Sequence, residues 1–399
     1  MVGMSDAAAT PPEQVVAPVG TVTTRLLHRA PRGTQEWWRS AVVYVNEPPL
    51  LGAVSTSADV ADRREQLRWV SRLGVQAIRL GCPPLPNEAP AEVIDAVAEL
   101  LVRAHRTGLR VILRIDPTDP RDEACARYWL SRGADGLDLG PVTEEEPISH
   151  ARYRELHALL AEHARDEDPI LSSRLTPAVQ ERAAEMLHED WLHHLVDAEL
   201  LDLTDPARVV EAVTDSLRIR DALGTTGAWL VPDVTEAGSP EMALVGALVV
   251  LAMPGAVYLR QGIELGLPVK TSPDPEPERT SRRTALLAEQ RGVGGSHFET
   301  IRAALRLRTD HRLGLAPLAR VDEMVGPVPE DVLAFLSGEI LVVANVGSDD
   351  VPLPAEPEVV LTSGPLRSGL AGVPLLPPRT AAWLWLEPQA PQPDPRARR

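Results

Sequence analysis

From Trp37 onward, short apolar runs alternate with longer stretches whose apolar residues recur every three or four positions. The short runs fall at 41–45, 76–80, 110–115, 136–139, 169–172, 196–203, 228–231 and 256–259, and each has the length and apolar content of a buried strand. Between them, 60–73, 90–107, 121–132, 150–166, 207–223 and 240–253 carry a helical period. In the 90–107 segment, Val93, Val97, Leu100, Leu101 and Ala104 fall on one face, the face expected against a sheet. Strand and helix in strict alternation imply parallel strands joined by helical crossovers. Eight such repeats in about 270 residues are the size of a (β/α)₈ TIM barrel.

The pattern changes outside that block. Residues 1–35 are polar and aperiodic and read as a disordered arm. The stretch TSPDPEPERTSRR within 268–295 reads as a polar loop, and 297–308 returns as an amphipathic helix. Beyond Leu315 the short β-rich runs VLAFLSG, EILVVANVG, EVVLTSG and TAAWLWLE are separated by turn residues, which predicts a small antiparallel β-sandwich. The expected division is an arm at 1–35, a barrel at 36–312, a sandwich at 313–388 and a disordered tail at 389–399.

Composition narrows the function classes. A net charge of −17 argues against a nucleic-acid partner and against an anionic membrane surface. No run reaches the length of a membrane-spanning helix, and no basic segment followed by an apolar one suggests a secretory leader. The two cysteines, Cys82 and Cys125, read as isolated packing residues rather than a disulfide scaffold, and a cytoplasmic address is the simplest expectation.

Several motifs in series resemble the α-amylase superfamily, in particular its α-glucosidase and trehalose-synthase branch. EWWRSAVVY (36–44), LGVQAIRLGCP (73–83) and AHRTGLRVIL (104–113) are similar to its first three strand regions. GADGLDLG (133–140) resembles the fourth-strand motif G-x-D-G-F-R-x-D, and MPGAVYLRQGIELGLP (253–268) the eighth strand and its loop. FETIRAALRLRTDH and VLAFLSGEILVVANVG resemble the last helix and the C-terminal β-domain. The resemblance spans about 36–387 and implies glycoside chemistry run by three carboxylates at strand ends.

Carried residue by residue, that implication fails. The nucleophile position is Gly140, and the family's arginine position is Asp138. The acid/base position is Ser173, and the third carboxylate position is Thr235 in WLVPDVTE. Glycine has no nucleophile, and a serine hydroxyl cannot protonate a leaving group at neutral pH. Retaining hydrolysis needs two carboxyl groups about 5–5.5 Å apart. No catalytic residue is therefore expected at the family positions. The short connection between Ile115 and Gly136 leaves no room for the family's third-strand subdomain, so no family-type calcium site is expected, and no other metal or cofactor.

Acidic residues do gather near the predicted strand ends. Asp116, Asp119, Asp138, Asp233 and Glu264 are the candidate ligand-binding residues at the barrel rim, with Glu236 beside them. They read chiefly as solvated rim residues or caps; a relocated carboxyl pair or an oxygen-ligand cation site are the alternatives. His188, His193 and His194 lack zinc-protease spacing. The GVGG at 292–295 has no following Lys-Ser/Thr and reads as a loop. The reading that follows is a non-catalytic superfamily member acting by binding or assembly in carbohydrate metabolism, with a carbohydrate or protein partner. The alternative is an active α-glucosidase or glucosyl transferase with a relocated site.

Overall fold

The computed structural model describes residues 22–46, 67–141, 148–164, 169–175, 186–187, 192–198, 203–269 and 276–387. A strand at Thr23–His28 (β1) comes first. Eight parallel strands follow: Val42–Val45 (β2), Ala77–Gly81 (β3), Arg110–Arg114 (β4), Gly136–Pro141 (β5), Ile170–Arg174 (β6), His194–Val196 (β7), Ala228–Leu230 (β8) and Ala256–Arg260 (β9). Their order in the sheet is β7–β6–β5–β4–β3–β2–β9–β8, and a parallel bridge between Asp197 and Trp229 brings the two outer strands together. The result is an eight-stranded, nearly closed TIM-like barrel. Of the run expected at 196–203, Val196 ends β7 and residues 199–202 lie outside the described residues.

The strands are apolar on both faces because both are buried. Val43, Val45, Ala77, Ile112, Ile170, Val196, Ala228, Leu230, Ala256 and Tyr258 pack inside the barrel. The alternate residues Tyr44, Ile78, Val111, Leu113, Leu137, Leu171, Leu195, Val257 and Leu259 join the larger cluster formed with the helices. Helix Ala91–Arg106 buries Val93, Val97, Leu100, Leu101 and Ala104, the face its period predicts. Helix starts are marked in the sequence by side-chain caps: Asp119, Ser149, Asp205, Ser239 and Ser296 each accept an amide of the first turn. Three of these caps precede a proline, where the missing N–H costs nothing.

Helix Pro240–Leu251 is buried almost all round, since it lies between the barrel and the C-terminal sheet. The carbonyls at its C-terminal end would be orphaned there. Buried Arg308 donates to the oxygens of Leu251 (2.8 Å), Met253 (2.6 Å) and Gly255, and Ser337 donates to that of Ala252 (2.6 Å).

The remaining strands are Leu318–Glu323 (β10), Val332–Ser337 (β11), Ile340–Asn345 (β12), Val351–Pro352 (β13), Glu358–Thr362 (β14), Arg367–Ser368 (β15), Pro374–Leu376 (β16) and Thr380–Trp385 (β17). They form two antiparallel sheets, β1–β10–β11–β12–β17–β14 and β13–β16–β15. Val321, Val332, Ala334, Leu341, Val343, Leu376 and Leu384 share a core. The opposite face, with Phe335, Val342 and Trp383, merges with the barrel core.

Three sequence expectations need correction. The arm at 1–35 is not structureless throughout, because β1 pairs antiparallel with β10; residues 1–21 lie outside the described residues. TTRLLH carries little apolar signal, and only the edge of the distant β10 supplies its partners. His28 also meets Asp221 at 2.7 Å, fixing β1 to the barrel helix Pro206–Leu223. Second, Glu276–Gln290 is a helix rather than a loop. Its proline at 277 falls in the first turn, where proline is tolerated, and Leu286 and Leu287 further along reach the core. Third, Cys82 and Cys125 form a disulfide with Cα atoms 6.4 Å apart. Cys82 follows β3 and Cys125 lies in helix Pro120–Leu130, 43 positions on, so the crossover rather than sequence proximity joins them. The tail at 389–399 lies outside the described residues.

Candidate functional site at the barrel mouth

Alternation along the barrel strands sets which side chains face the interior. On β3 the inward set is Ala77 and Arg79, on β4 Ile112 and Arg114, on β5 Gly136 and Asp138, and on β6 Ile170 and Ser172. Above the apolar inner layer these strands therefore place polar groups. Asp138 is 2% exposed and accepts from Arg79 Nη1 (3.2 Å), Ser172 Oγ (3.0 Å) and the Gly140 amide (3.0 Å). Arg114 Nε stands 3.6 Å from the same carboxylate. A buried carboxylate needs this many donors, because desolvation otherwise favours its neutral form.

Gly140 is held at φ +73°, in the left-handed region that favours glycine, at an irregularity of register between β5 and β6. A Cβ built on it would run into the Arg114 guanidinium. The space for a side chain at the position expected from the resemblance to hold a nucleophile is thus filled by a cation. Ser173 lies on the other parity of β6 from Ser172 and donates to the Gly140 carbonyl at 2.7 Å. The side chain that β6 turns toward Asp138 is that of Ser172, one residue before the position read from sequence. Thr235 is exposed in the short helix Val234–Ala237.

The other rim acids are engaged locally. Asp233 starts that short helix, accepting from the amides of Thr235 (2.8 Å) and Glu236 (3.0 Å), while its second oxygen takes the Val269 amide (3.0 Å). Glu236 returns a bond to the Asp233 amide (2.9 Å) and pairs with buried Arg260, whose guanidinium also reaches the Val231 carbonyl (3.2 Å). Asp119 caps helix Pro120–Leu130. Asp116 is exposed and accepts from the Thr118 amide (2.8 Å) and hydroxyl (2.7 Å), bonds that hold its carboxyl below the usual range. Glu264 is fully buried in the turn Ile263–Leu265, not in the barrel interior. It accepts from Tyr44 Oη and the Gly262 amide, each at 2.9 Å, and burial pushes its carboxyl up to about 7. The structure brings Asp138 alone of the five candidates into the barrel interior.

Sequence reasoning missed the arginines. Arg79 and Arg114 fall on the same strand parity as Ala77 and Ile112, so alternation carried a signal that two cations face inward. It also missed the closure of the interior by His194 and Tyr258. His194 Nδ1 meets Tyr258 Oη at 2.8 Å and its Nε2 meets the Trp38 carbonyl at 2.8 Å. Burial lowers this imidazole to about 3, so it is neutral and its Nε2 carries the proton. Burial, with Asp138 nearby, pushes the Tyr258 phenol up. His193 Nδ1 accepts the Leu171 amide at 3.0 Å, whereas His188 lies outside the described residues. Among the described residues no three His, Cys, Asp or Glu side chains converge as metal ligands.

No protein-family model matches the sequence, and no curated protein does. Solved structures do match in fold. An inactive double mutant of trehalulose synthase MutB in complex with isomaltulose superposes with a TM-score of 0.63 at 14% identity, covering 88% of this chain and 100% of that one. A further MutB mutant in complex with the substrate sucrose gives 0.63 at 14% identity over the same shares. The α-amylase from H. orenii gives 0.64 at 12% identity, over 87% of this chain and 100% of its own. Among the described residues no helix is long and apolar enough to cross a membrane.

Proposed function

We propose that this chain is a member of the α-amylase superfamily whose barrel mouth no longer carries the retaining glycosidase machinery, and that it acts by binding or assembly in carbohydrate metabolism. The solved structures that share its fold are carbohydrate enzymes by their names, and the motif order read from the sequence points the same way. The observation that carries the non-catalytic part is the Arg114 guanidinium lying where a side chain on Gly140 would stand. Retaining chemistry requires a carboxylate nucleophile facing a carboxylic acid. Here the nucleophile position holds no side chain, and the carboxylate two residues earlier is buried among three donors with a second guanidinium 3.6 Å away. One positioned acid or base is worth roughly 10²–10⁴-fold in rate. A carbohydrate or a protein is the proposed partner, with nucleic acid and membrane disfavoured by the acidic charge. The cysteine pairing removes one argument for a cytoplasmic address.

The test is an assay of purified protein on maltose, trehalose, sucrose and aryl α-glucosides. The expected result is no turnover, where ordinary enzymes run at roughly 1–10³ s⁻¹. Turnover near ~1 s⁻¹ that is lost in Asp138→Asn, with circular dichroism showing the variant folded, would refute the non-catalytic reading in favour of a relocated carboxylate site.

A further inference from the structure

We propose that the barrel mouth binds an oxyanion borne by a small carbohydrate, a phosphate ester or a uronate carboxylate, with the Arg114 guanidinium as its principal contact. The carbohydrate part rests on the function proposed above; the oxyanion part rests on charge and geometry at the strand ends.

Arg114 is the last residue of β4, at the C-terminal end of the barrel, where such barrels build their ligand sites. Its side chain is 34% exposed, whereas that of Asp138, the acid within 4 Å of it among the described residues, is 3% exposed; Asp116, two residues on, also attracts it. Asp138 already takes its nearest charged bond from Arg79 at 3.2 Å and two further bonds from Ser172 and the Gly140 amide. Two guanidinium groups therefore face one carboxylate, and the more accessible of the two is the more weakly held. Arg114 Nη1 donates to the Ile115 carbonyl, which orients the group. The edge carrying Nη2 points over Gly140, whose missing side chain offers no acceptor there.

A third inward arginine, three strands away on β9, behaves differently, which sharpens the assignment. Arg260 ends β9 but is 2% exposed and locked to Glu236 and the Val231 carbonyl, so it is a structural pair. A planar, partly desolvated guanidinium already fixed along one edge loses little freedom on binding, and it matches phosphate or carboxylate in paired N–H···O bonds. A neutral sugar can accept single bonds there but brings no opposite charge.

The experiment is titration calorimetry on the full chain with glucose 1-phosphate, glucuronate, inorganic phosphate and glucose as probes, on wild type, Arg114→Gln and Arg114→Lys. The expected result is binding of at least one of the two charged sugars, weakened tenfold or more in Arg114→Gln and weakened further by added salt. Preference for glucose 1-phosphate assigns a phosphate ester, and preference for glucuronate assigns a carboxylate. Arg114→Lys keeps the charge without the fork and is expected to fall between the two proteins; it also replaces Arg114→Gln should that variant fail to fold. Failure of both charged sugars to bind wild type at millimolar concentration overturns the proposal. So does an affinity unchanged by loss of the guanidinium. Inorganic phosphate binding as tightly as glucose 1-phosphate overturns the carbohydrate half. Free glucose or phosphate released from glucose 1-phosphate in the same samples would count against the non-catalytic function alone, leaving the binding result to stand or fall separately.

Discussion

Replacing Gly140 by alanine tests the packing at the centre of this reading. At φ +73° a side chain costs about 1–2 kcal/mol in the left-handed conformation. The new Cβ also takes the place of the Arg114 guanidinium, which must swing away. Arg114 is one-third exposed, so it can reach solvent. It then gives up a long contact with Asp138 at 3.6 Å, which keeps its bonds from Arg79, Ser172 and the Gly140 amide, a loss of about 0–1 kcal/mol. The sum is about 1–3 kcal/mol. Gly33 supplies the reference: its φ is +79° and nothing lies within 4 Å of its Cβ position, so Gly33→Ala bears the backbone cost alone. Urea unfolding of the two single variants, of Arg114→Ala and of Gly140→Ala/Arg114→Ala completes a mutant cycle. Gly140→Ala is expected to cost more than Gly33→Ala in the wild type and the same as Gly33→Ala once Arg114 is removed. An identical cost for Gly140→Ala with and without Arg114 would refute the claim that the guanidinium occupies the space a side chain at Gly140 would need.

The disulfide encloses a loop of 43 positions, so Cys82→Ser/Cys125→Ser is expected to lose about 4 kcal/mol by the chain-entropy relation. Unfolding curves that coincide with those of the oxidised wild type would show the bridge to be inconsequential. Glu264 has its carboxyl raised from 4.5 to about 7, so between those values the folded state holds more protons than the unfolded one. Its favourable contribution is present in full below about pH 4.5 and is lost as pH rises towards 7; Glu264→Gln should flatten that decline by up to about 3 kcal/mol, and parallel pH–stability curves for the two proteins would count against it. Thermal melts with calcium and with chelator are expected to superimpose, whereas a rise of several degrees with calcium would mean that rim acids bind the ion.

Periodicity along the chain was sufficient for the architecture. Strand alternation and the helical face of Val93, Val97, Leu100, Leu101 and Ala104 are local consequences of burying one side of each element, and burial leaves its mark on every turn. A cap role was among the readings of Asp119, since an amide two residues away is all it needs; the caps at Ser149, Asp205 and Ser239 are as local but were not read. The pairing of β1 with β10, the Cys82–Cys125 bond and the tie of Glu264 to Tyr44 join residues 43 to 300 positions apart. Only the closed barrel and its docked sheet bring such partners within bonding distance. The mouth shows the division most clearly. The sequence by itself determined that Gly140 supplies no nucleophile, because glycine has no side chain in any fold. That Arg114 fills the vacated space, that Arg79 neutralises Asp138, and that Ser172 rather than Ser173 faces them depended on the stagger of β3 to β6. Stagger is set by closing eight strands into one barrel, and no single strand contains it.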